Sequence, residues 1–204
     1  SYESGELDDF SIGYVVNKHY SRSPSLRWVN GTASSWETLL KTVEVDRPGS
    51  YFGNPSGHLG VGVGMAYGVA LANKRYGNIR AYRRYKTGRI TGPEYPVLCT
   101  VGDGDAIFGN ISSALWTCSH YGIGVVFAIL NNACWAAEWT PIEESSQHWA
   151  RDSRDFEFLD IDEPRIDFCQ LGRAFAVETM LAETPQDFDS ALGSALKLAK
   201  EGRP

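Results

Sequence analysis

Paired cysteines, a long apolar run and a surplus of basic charge are all missing from this sequence. Its four cysteines, Cys99, Cys118, Cys134 and Cys169, lie far apart with no CxxC pair. That spacing argues against a cysteine zinc site or a disulfide framework and fits a reducing compartment. No apolar stretch approaches the ~20 residues that cross a bilayer as a helix, and the opening SYESGELDDF has neither the basic nor the apolar region of a signal peptide. A cytoplasmic protein without a membrane partner is therefore expected. The formal charge of −6 argues against general affinity for nucleic acid. One basic stretch, Lys74 to Arg89, departs from that balance and reads as a solvated insertion or a subunit contact.

What is present suffices for a packed domain: 204 residues, 43% hydrophobic and 22% charged. Ser1 to Asn30 shows little periodicity and reads as a linker or edge segment, with a short strand over Ile12 to Val16. Thr32 to Ser35 offers hydroxyls before Trp36, Leu39, Leu40 and Val43, which recur at helical spacing. Domain boundaries follow as 1–46, a linker with the first helix, and 47–204, the main domain. Tyr51 to Ser56 reads as a loop because Gly53, Asn54 and Pro55 favour turns. Within Gly57 to Gly77, Gly60 to Ala72 suits a buried helix so rich in glycine that its early turns must approach another backbone or a ligand closely, since each interior glycine costs ~1 kcal/mol relative to alanine.

Val97 to Asn132 is the most informative stretch. An apolar run ends at Gly102-Asp103-Gly104, a helical segment follows, and a second apolar run, Val125 to Leu130, ends at Asn131-Asn132. Ala133 to Trp149 then reads as a short helix and loop over the crevice, and Arg151 to Asp167 as loop. Asp167 to Phe175 reads as a capped helix, Ala176 to Leu181 as a strand, and Thr184-Pro185 as the start of a final helix to Glu201. Alternating helices and strands predict an α/β fold, a parallel sheet with helices on both faces.

In such a sheet the strand C-termini line the ligand crevice. A carboxylate, Asp103, and an amide, Asn132, at neighbouring tips are hard oxygen donors. They suit Mg²⁺, which takes few protein ligands and fills its other positions with water and phosphate oxygens. Gly104 lets backbone approach a diphosphate, and a helix beginning near Asn110 would add its dipole. Either half alone is equally well read as a tight turn or a strand-ending pair.

Together, GDG, a helix, a β-branched strand and NN at this spacing resemble the thiamine diphosphate motif. The chain resembles the C-terminal cofactor-binding domain of the acetolactate synthase and 2-keto acid decarboxylase superfamily from about Arg47 onward. Within it, SYFGNPSGHLGVGVG and GDGDAIFGN look most like the acetolactate-synthase-like proteins of unassigned substrate. The resemblance implies the thiamine-diphosphate-binding fold, thiamine diphosphate and Mg²⁺ as cofactors, and Asp103, Asn132 and the main-chain carbonyl of Cys134 as metal ligands. It implies that Gly102, Gly104 and Asp105 lie at the diphosphate, although relatives often have serine where Asp105 stands. It also implies that Leu59 offers its carbonyl to the aminopyrimidine and that Val61 wedges between the cofactor rings.

Glu138, six residues beyond Asn132 and between Trp135 and Trp139, is the candidate catalytic acid. The expectation is that an apolar surround raises its pKa, the alternative being a surface glutamate. His58, beside the ring-contacting loop, is a second candidate for touching substrate. The resemblance further implies a pyrimidine-binding domain or subunit that supplies the activating glutamate, a 2-keto acid or acyl substrate, and a homo- or hetero-oligomer. Relatives continue beyond the Gly202-Arg203-Pro204 position into a last strand, so a split enzyme subunit or a fragment is expected. Three readings follow. The first is a decarboxylase, carboligase or acyl-CoA lyase, the second a β subunit of a 2-oxoacid:ferredoxin oxidoreductase, which GDGDA also resembles, and the third a non-catalytic regulatory relative.

Overall fold

A computed structural model of the chain describes residues 5–54, 57–76, 95–145, 149–153 and 155–204. Four strands, β1 (Arg27–Asn30), β2 (Tyr51–Gly53), β3 (Val97–Gly102) and β4 (Val125–Leu130), form one sheet in the order β2-β1-β3-β4. All three pairings are parallel. Gly102 pairs with Leu130 and Asn30 with Thr100, so the C-terminal tips of β1, β3 and β4 share one edge of the sheet. The described helices are α1 (Asp9–Arg22), α2 (Trp36–Thr42), α3 (Val61–Tyr76), α4 (Asp103–Phe108), α5 (Ile111–Tyr121), α6 (Trp139–Glu144), α7 (Trp149–Ser153), α8 (Phe168–Ala174) and α9 (Pro185–Lys200).

Alternation along the strands divides the core in two, because successive side chains leave opposite faces. Trp28 and Leu98 join Ile12, Val16, Tyr20, Leu39 and Leu192, the face covered by α1, α2 and α9. Val29, Val97, Cys99 and Val101 join Val63, Ala66, Ala114 and Cys118, the face covered by α3 and α5. The expected parallel sheet with helices on both faces is what the chain forms.

Three local readings are corrected. Ile12 to Val16 is helix, within α1, and not strand. Its buried residues Ile12, Val15, Val16 and Tyr20 recur at helical spacing, and Asp8 and Ser11 form a reciprocal capping box whose N3 residue is serine in place of the usual acid or amide. Tyr51 to Gly53, read as loop, is the edge strand β2, because the ring of Tyr51 packs on Trp28 at 5.0 Å and its backbone pairs with β1. Ala176 to Leu181 pairs with no strand among the described residues. Only Val177 in it is buried, and a cavity separates the segment from β4.

Of the segment expected as a linker, α1 packs in the core and β1 pairs with both β2 and β3. Part of the stretch read as loop after Arg151 is helical, in α7. The helix expected at Asp167 is α8, capped by the Asp167 side chain accepting from Gln170 N–H at 2.8 Å. α9 starts as expected, with the Thr184 hydroxyl accepting from Asp187 N–H at 3.1 Å. Most of the basic stretch from Lys74 to Arg89 lies outside the described residues. No described helix is long and apolar enough to cross a membrane.

Candidate metal and diphosphate site

β3 delivers Asp103 to the crevice, and α4 begins on that same residue. The helix N-terminus at the strand tip is thus that of α4. The helix expected near Asn110, α5, starts one short helix later, from Asn110 in the left-handed region. Asp103 is only 3% exposed, and its two oxygens accept from Gly104 N–H at 3.0 Å and Ala133 N–H at 2.7 Å. A carboxylate has room for about four such contacts, so acceptor capacity remains. Burial pushes the Asp103 carboxyl above the usual carboxylate range, against the lowering by those backbone bonds and by the charge of Arg165.

Asp105 is as deeply buried, at 4% exposed, and accepts from Gly60 N–H at 3.1 Å. Burial raises it too, and the Asp103 charge adds to the rise, opposed by backbone hydrogen bonds at Gly60, Gly102 and Ala33. Neither carboxylate takes part in a salt bridge among the described residues. Two buried acids this close, neither in a salt bridge, are a costly arrangement. A divalent cation at Asp103 would offset part of that cost.

β4 ends in the other half of the site. Asn131 accepts from Ala133 N–H at 3.1 Å and Asn132 from Cys134 N–H at 3.3 Å, which coils the chain tightly beyond the strand. Ala133 takes a φ of 57°, a left-handed conformation uncommon for a residue with a side chain. The turn is then clamped by an isolated antiparallel bridge of Cys134 with Asp160, through Trp135 N–H to the Leu159 carbonyl and Ile161 N–H to the Ala133 carbonyl, both 2.8 Å. In that pattern the bridged residue's own N–H and C=O point away from the partner segment. The Cys134 carbonyl is therefore turned off the 159–161 segment, while its thiol is pushed up by burial and by the charges of Asp103 and Asp160.

The glycines have specific reasons. A Cβ at Gly104 would fall 2.6 Å from the Trp135 ring, which itself meets Phe108 edge-on at 6.4 Å. Gly31 and Gly62 touch backbone to backbone, since a Cβ on either would fall within 2.8 Å of the other's Cα. The close approach expected for the glycine-rich helix is thus real at its first turn, although Gly64 and Gly68 face open space.

One cavity of about 1220 Å³ collects Leu59, Gly102, Asp103, Gly104, Asp105, Asn132, Cys134 and Glu138. It continues along β4 toward Val177 to Glu183, so its volume exceeds that of one ligand site. His58 and Val61 are not in its lining. His58 is exposed, its carbonyl accepting from Asn54 Nδ2 at 2.6 Å, and Val61 is half-buried at the start of α3. Glu138 ends a 3₁₀ turn and is exposed. The apolar surround expected for it is not formed by the described residues, because Trp139 stacks on Phe156 at 5.1 Å instead.

Sequence reasoning passed over Thr32, Ala33, Ser34 and Ser35, which line the same cavity. The available signal was position: this hydroxyl-rich turn follows β1, whose tip neighbours that of β3. Ser35 precedes α2 but makes no side-chain capping bond. Arg165, also in the lining, had no sequence signal, coming from a stretch read as loop.

The donor set, a carboxylate, an amide oxygen and a main-chain carbonyl, is all hard oxygen and fits Mg²⁺. A family model described as "Thiamine pyrophosphate enzyme, C-terminal TPP binding domain" matches residues 30–204. Benzoylformate decarboxylase of Pseudomonas aeruginosa is 30% identical over 170 residues, 83% of this chain and 26% of that protein. A solved thiamine diphosphate-dependent 4-hydroxybenzoylformate decarboxylase from Rhodococcus jostii superposes with a TM-score of 0.73 at 27% identity, over 95% of this chain and 31% of that one. Benzoylformate decarboxylase from Polynucleobacter necessarius shares the fold at a TM-score of 0.75 and 17% identity, over 98% of this chain and 32% of that one. The chain spans about a quarter to a third of the length of these relatives.

Proposed function

We propose a function from one premise: the chain belongs to the thiamine pyrophosphate enzymes, by their C-terminal TPP-binding domain. The cofactors are thiamine diphosphate and Mg²⁺. The chain is the cofactor-holding part of an enzyme that cleaves or forms a C–C bond next to a carbonyl, of the 2-keto acid decarboxylase, carboligase or acyl-CoA lyase type. Two of its relatives are named for benzoylformate and 4-hydroxybenzoylformate, so an aryl 2-keto acid is the first substrate to try. When bound, the cofactor supplies an electron sink for the bond beside the carbonyl.

The residues divide the work by position. Asp103, the Asn132 side chain and the Cys134 carbonyl hold Mg²⁺. Gly102 and Gly104 bring the backbone at the start of α4 against the diphosphate. Leu59 accepts from the aminopyrimidine through its carbonyl, and Val61 packs against the rings. Glu138 gives or takes a proton at the substrate, its exposed carboxyl being covered by a pyrimidine-binding domain or subunit that completes the site, and His58 faces the same partner. Where the activating glutamate comes from a separate subunit, the assembly is a homo- or hetero-oligomer.

The observation that carries this reading is the buried Asp103 carboxylate, which has no salt-bridge partner among the described residues, beside the hard oxygens of the β4 turn. It is tested by calorimetry on the protein assembled with its pyrimidine-side domain. Thiamine diphosphate is expected to bind only with Mg²⁺, and Asp103→Ala to abolish binding; undiminished binding in that variant overturns the metal assignment. Glu138→Gln is expected to slow turnover at least tenfold with cofactor affinity kept, since general acid-base catalysis supplies roughly 10²- to 10⁴-fold. Unchanged turnover removes Glu138 from the chemistry.

A further inference from the structure

A position next to a diphosphate is a poor one for an aspartate, because a carboxylate cannot donate a hydrogen bond to phosphate and its charge repels it. The side chain of Asp105 is in fact engaged elsewhere. Its Oδ1 accepts from Gly60 N–H at 3.1 Å, across forty-five positions of sequence, in a fully buried contact. That N–H belongs to the peptide linking Leu59 and Gly60. The peptide is trans, so its C=O points opposite to its N–H. Holding the N–H on the Asp105 carboxylate therefore holds the Leu59 carbonyl facing the other way, and Leu59 lines the cavity.

The surroundings hold this peptide closely. Gly60 sits at φ +80°, and a Cβ there would fall 2.3 Å from the Gly109 nitrogen, so the turn into α3 lies directly on the end of α4. Gly109 N–H donates to the Asp105 carbonyl at 2.8 Å, and the Gly60 carbonyl accepts from Val63 N–H at 3.1 Å to start α3. Asp105 thus grips the 59–60 peptide through its side chain and the underlying Gly109 through its main chain. The other oxygen of the same carboxylate lies close to the β3 tip, since a Cβ on Gly102 would fall 3.1 Å from it.

We infer that Asp105 is a positioning residue that acts through the Leu59–Gly60 peptide, aiming the Leu59 carbonyl at an amino group on the cofactor's pyrimidine ring. The inference rests on the thiamine diphosphate reading given above. It assigns to Asp105 the opposite end of the cofactor from the diphosphate, and so couples the metal half of the site to the ring half through one side chain.

The test compares three probes on the protein assembled with its pyrimidine-side domain, each with Mg²⁺: thiamine diphosphate, its analogue lacking the pyrimidine amino group, and inorganic diphosphate. Asp105→Ala is expected to weaken thiamine diphosphate about tenfold, as loss of a hydrogen bond to a charged acceptor does, while the other two probes change less than about threefold. Asp105→Asn, whose amide oxygen still accepts from Gly60 N–H, is expected to keep the ratio of the three affinities near that of the unmodified protein. Should the alanine variant not fold, Asp105→Ser takes its place, its hydroxyl being too short to span to Gly60. Equal weakening of all three probes overturns the inference and returns Asp105 to the diphosphate or to general support of the fold. Failure of the unmodified protein to bind either thiamine diphosphate or inorganic diphosphate overturns the cofactor reading itself.

Discussion

β3 and β4 are neighbouring six-residue strands of similar apolar composition, yet the chain treats them differently. In β3 five of six residues are buried, whereas in β4 only Val125 is and the rest are half-exposed. Among the described residues β3 has a partner on each side, β1 and β4, while β4 has one partner, and it lines the cavity. The same contrast runs on past the strand ends. Asp103 and Asp105 are buried and held by backbone N–H groups, whereas Asn131 and Asn132 are exposed and serve their own turn. The β3 tip is thus a buried anchor that carries the charge, and the β4 tip an exposed arm held in place by its own turn and by the 159–161 segment.

The contrast is broken most severely at the anchor. Asp103→Ala is expected to eliminate Mg²⁺-dependent cofactor binding, where Asn132→Ala, on the exposed arm, weakens it and leaves it measurable; calorimetry separates the two. In the strands, Leu98→Ala is expected to cost ~2–5 kcal/mol of unfolding free energy as a fully buried truncation. Ile129→Ala, in the half-exposed edge strand, should cost less than half as much. Denaturant titration reads both, and equal losses would mean that β4 is covered in the assembled protein.

Gly104→Ala sharpens the junction of the two tips, since the new methyl meets the Trp135 ring at 2.6 Å. A loss of ~1–3 kcal/mol is expected from such overpacking, and adding Trp135→Ala should cancel most of it.

The smallest effect lies in the helix behind β4. Asp189 of α9 pairs with Lys18 and with His19, the latter at 2.7 Å, and the Lys18 hydrogen bond first, then His19, hold its carboxyl below the usual range. A depressed folded-state pKa gives stability that is present above the unfolded value near 4 and is lost as pH falls through the folded one. Asp189→Asn should therefore destabilise by less than ~1 kcal/mol at neutral pH. The difference should vanish in acid, as thermal melts across pH would record.

Legibility followed locality. β3, β4, α8 and α9 could be read from the sequence because their signals, apolar runs, Asp167 at a cap and Pro185 at a first turn, sit within a few residues of the structure they specify. Ile12 to Val16 misled because β-branched residues suit either element, and only the pattern out to Tyr20 together with the Asp8 and Ser11 cap identifies a helix. Tyr51 to Gly53 misled for the opposite reason: its strand character comes from pairing with β1, more than twenty residues away. Among the candidate site residues, Asp103, Gly104 and Asn132 were legible as a spaced motif, and Cys134 came only with the family resemblance. Thr32 to Ser35 were hidden, since nothing in a linear reading brings the β1 tip beside that of β3.

By itself, the sequence put hard oxygen donors at two strand ends, because donor type and strand-end position are local properties of Gly102 to Asp105 and of Asn131 to Asn132. It also determined that the helix after Gly57 must meet another backbone closely. The tertiary structure decided which way each group faces. Burial encloses the Asp103 carboxylate with no salt-bridge partner among the described residues, the 159–161 segment turns the Cys134 carbonyl outward, and the approach of Gly60 to Gly109 sends the Asp105 carboxylate to a peptide of α3's entry turn and not to the crevice mouth. Orientation depends on contacts between segments distant along the chain, and those exist only once the sheet has brought them together.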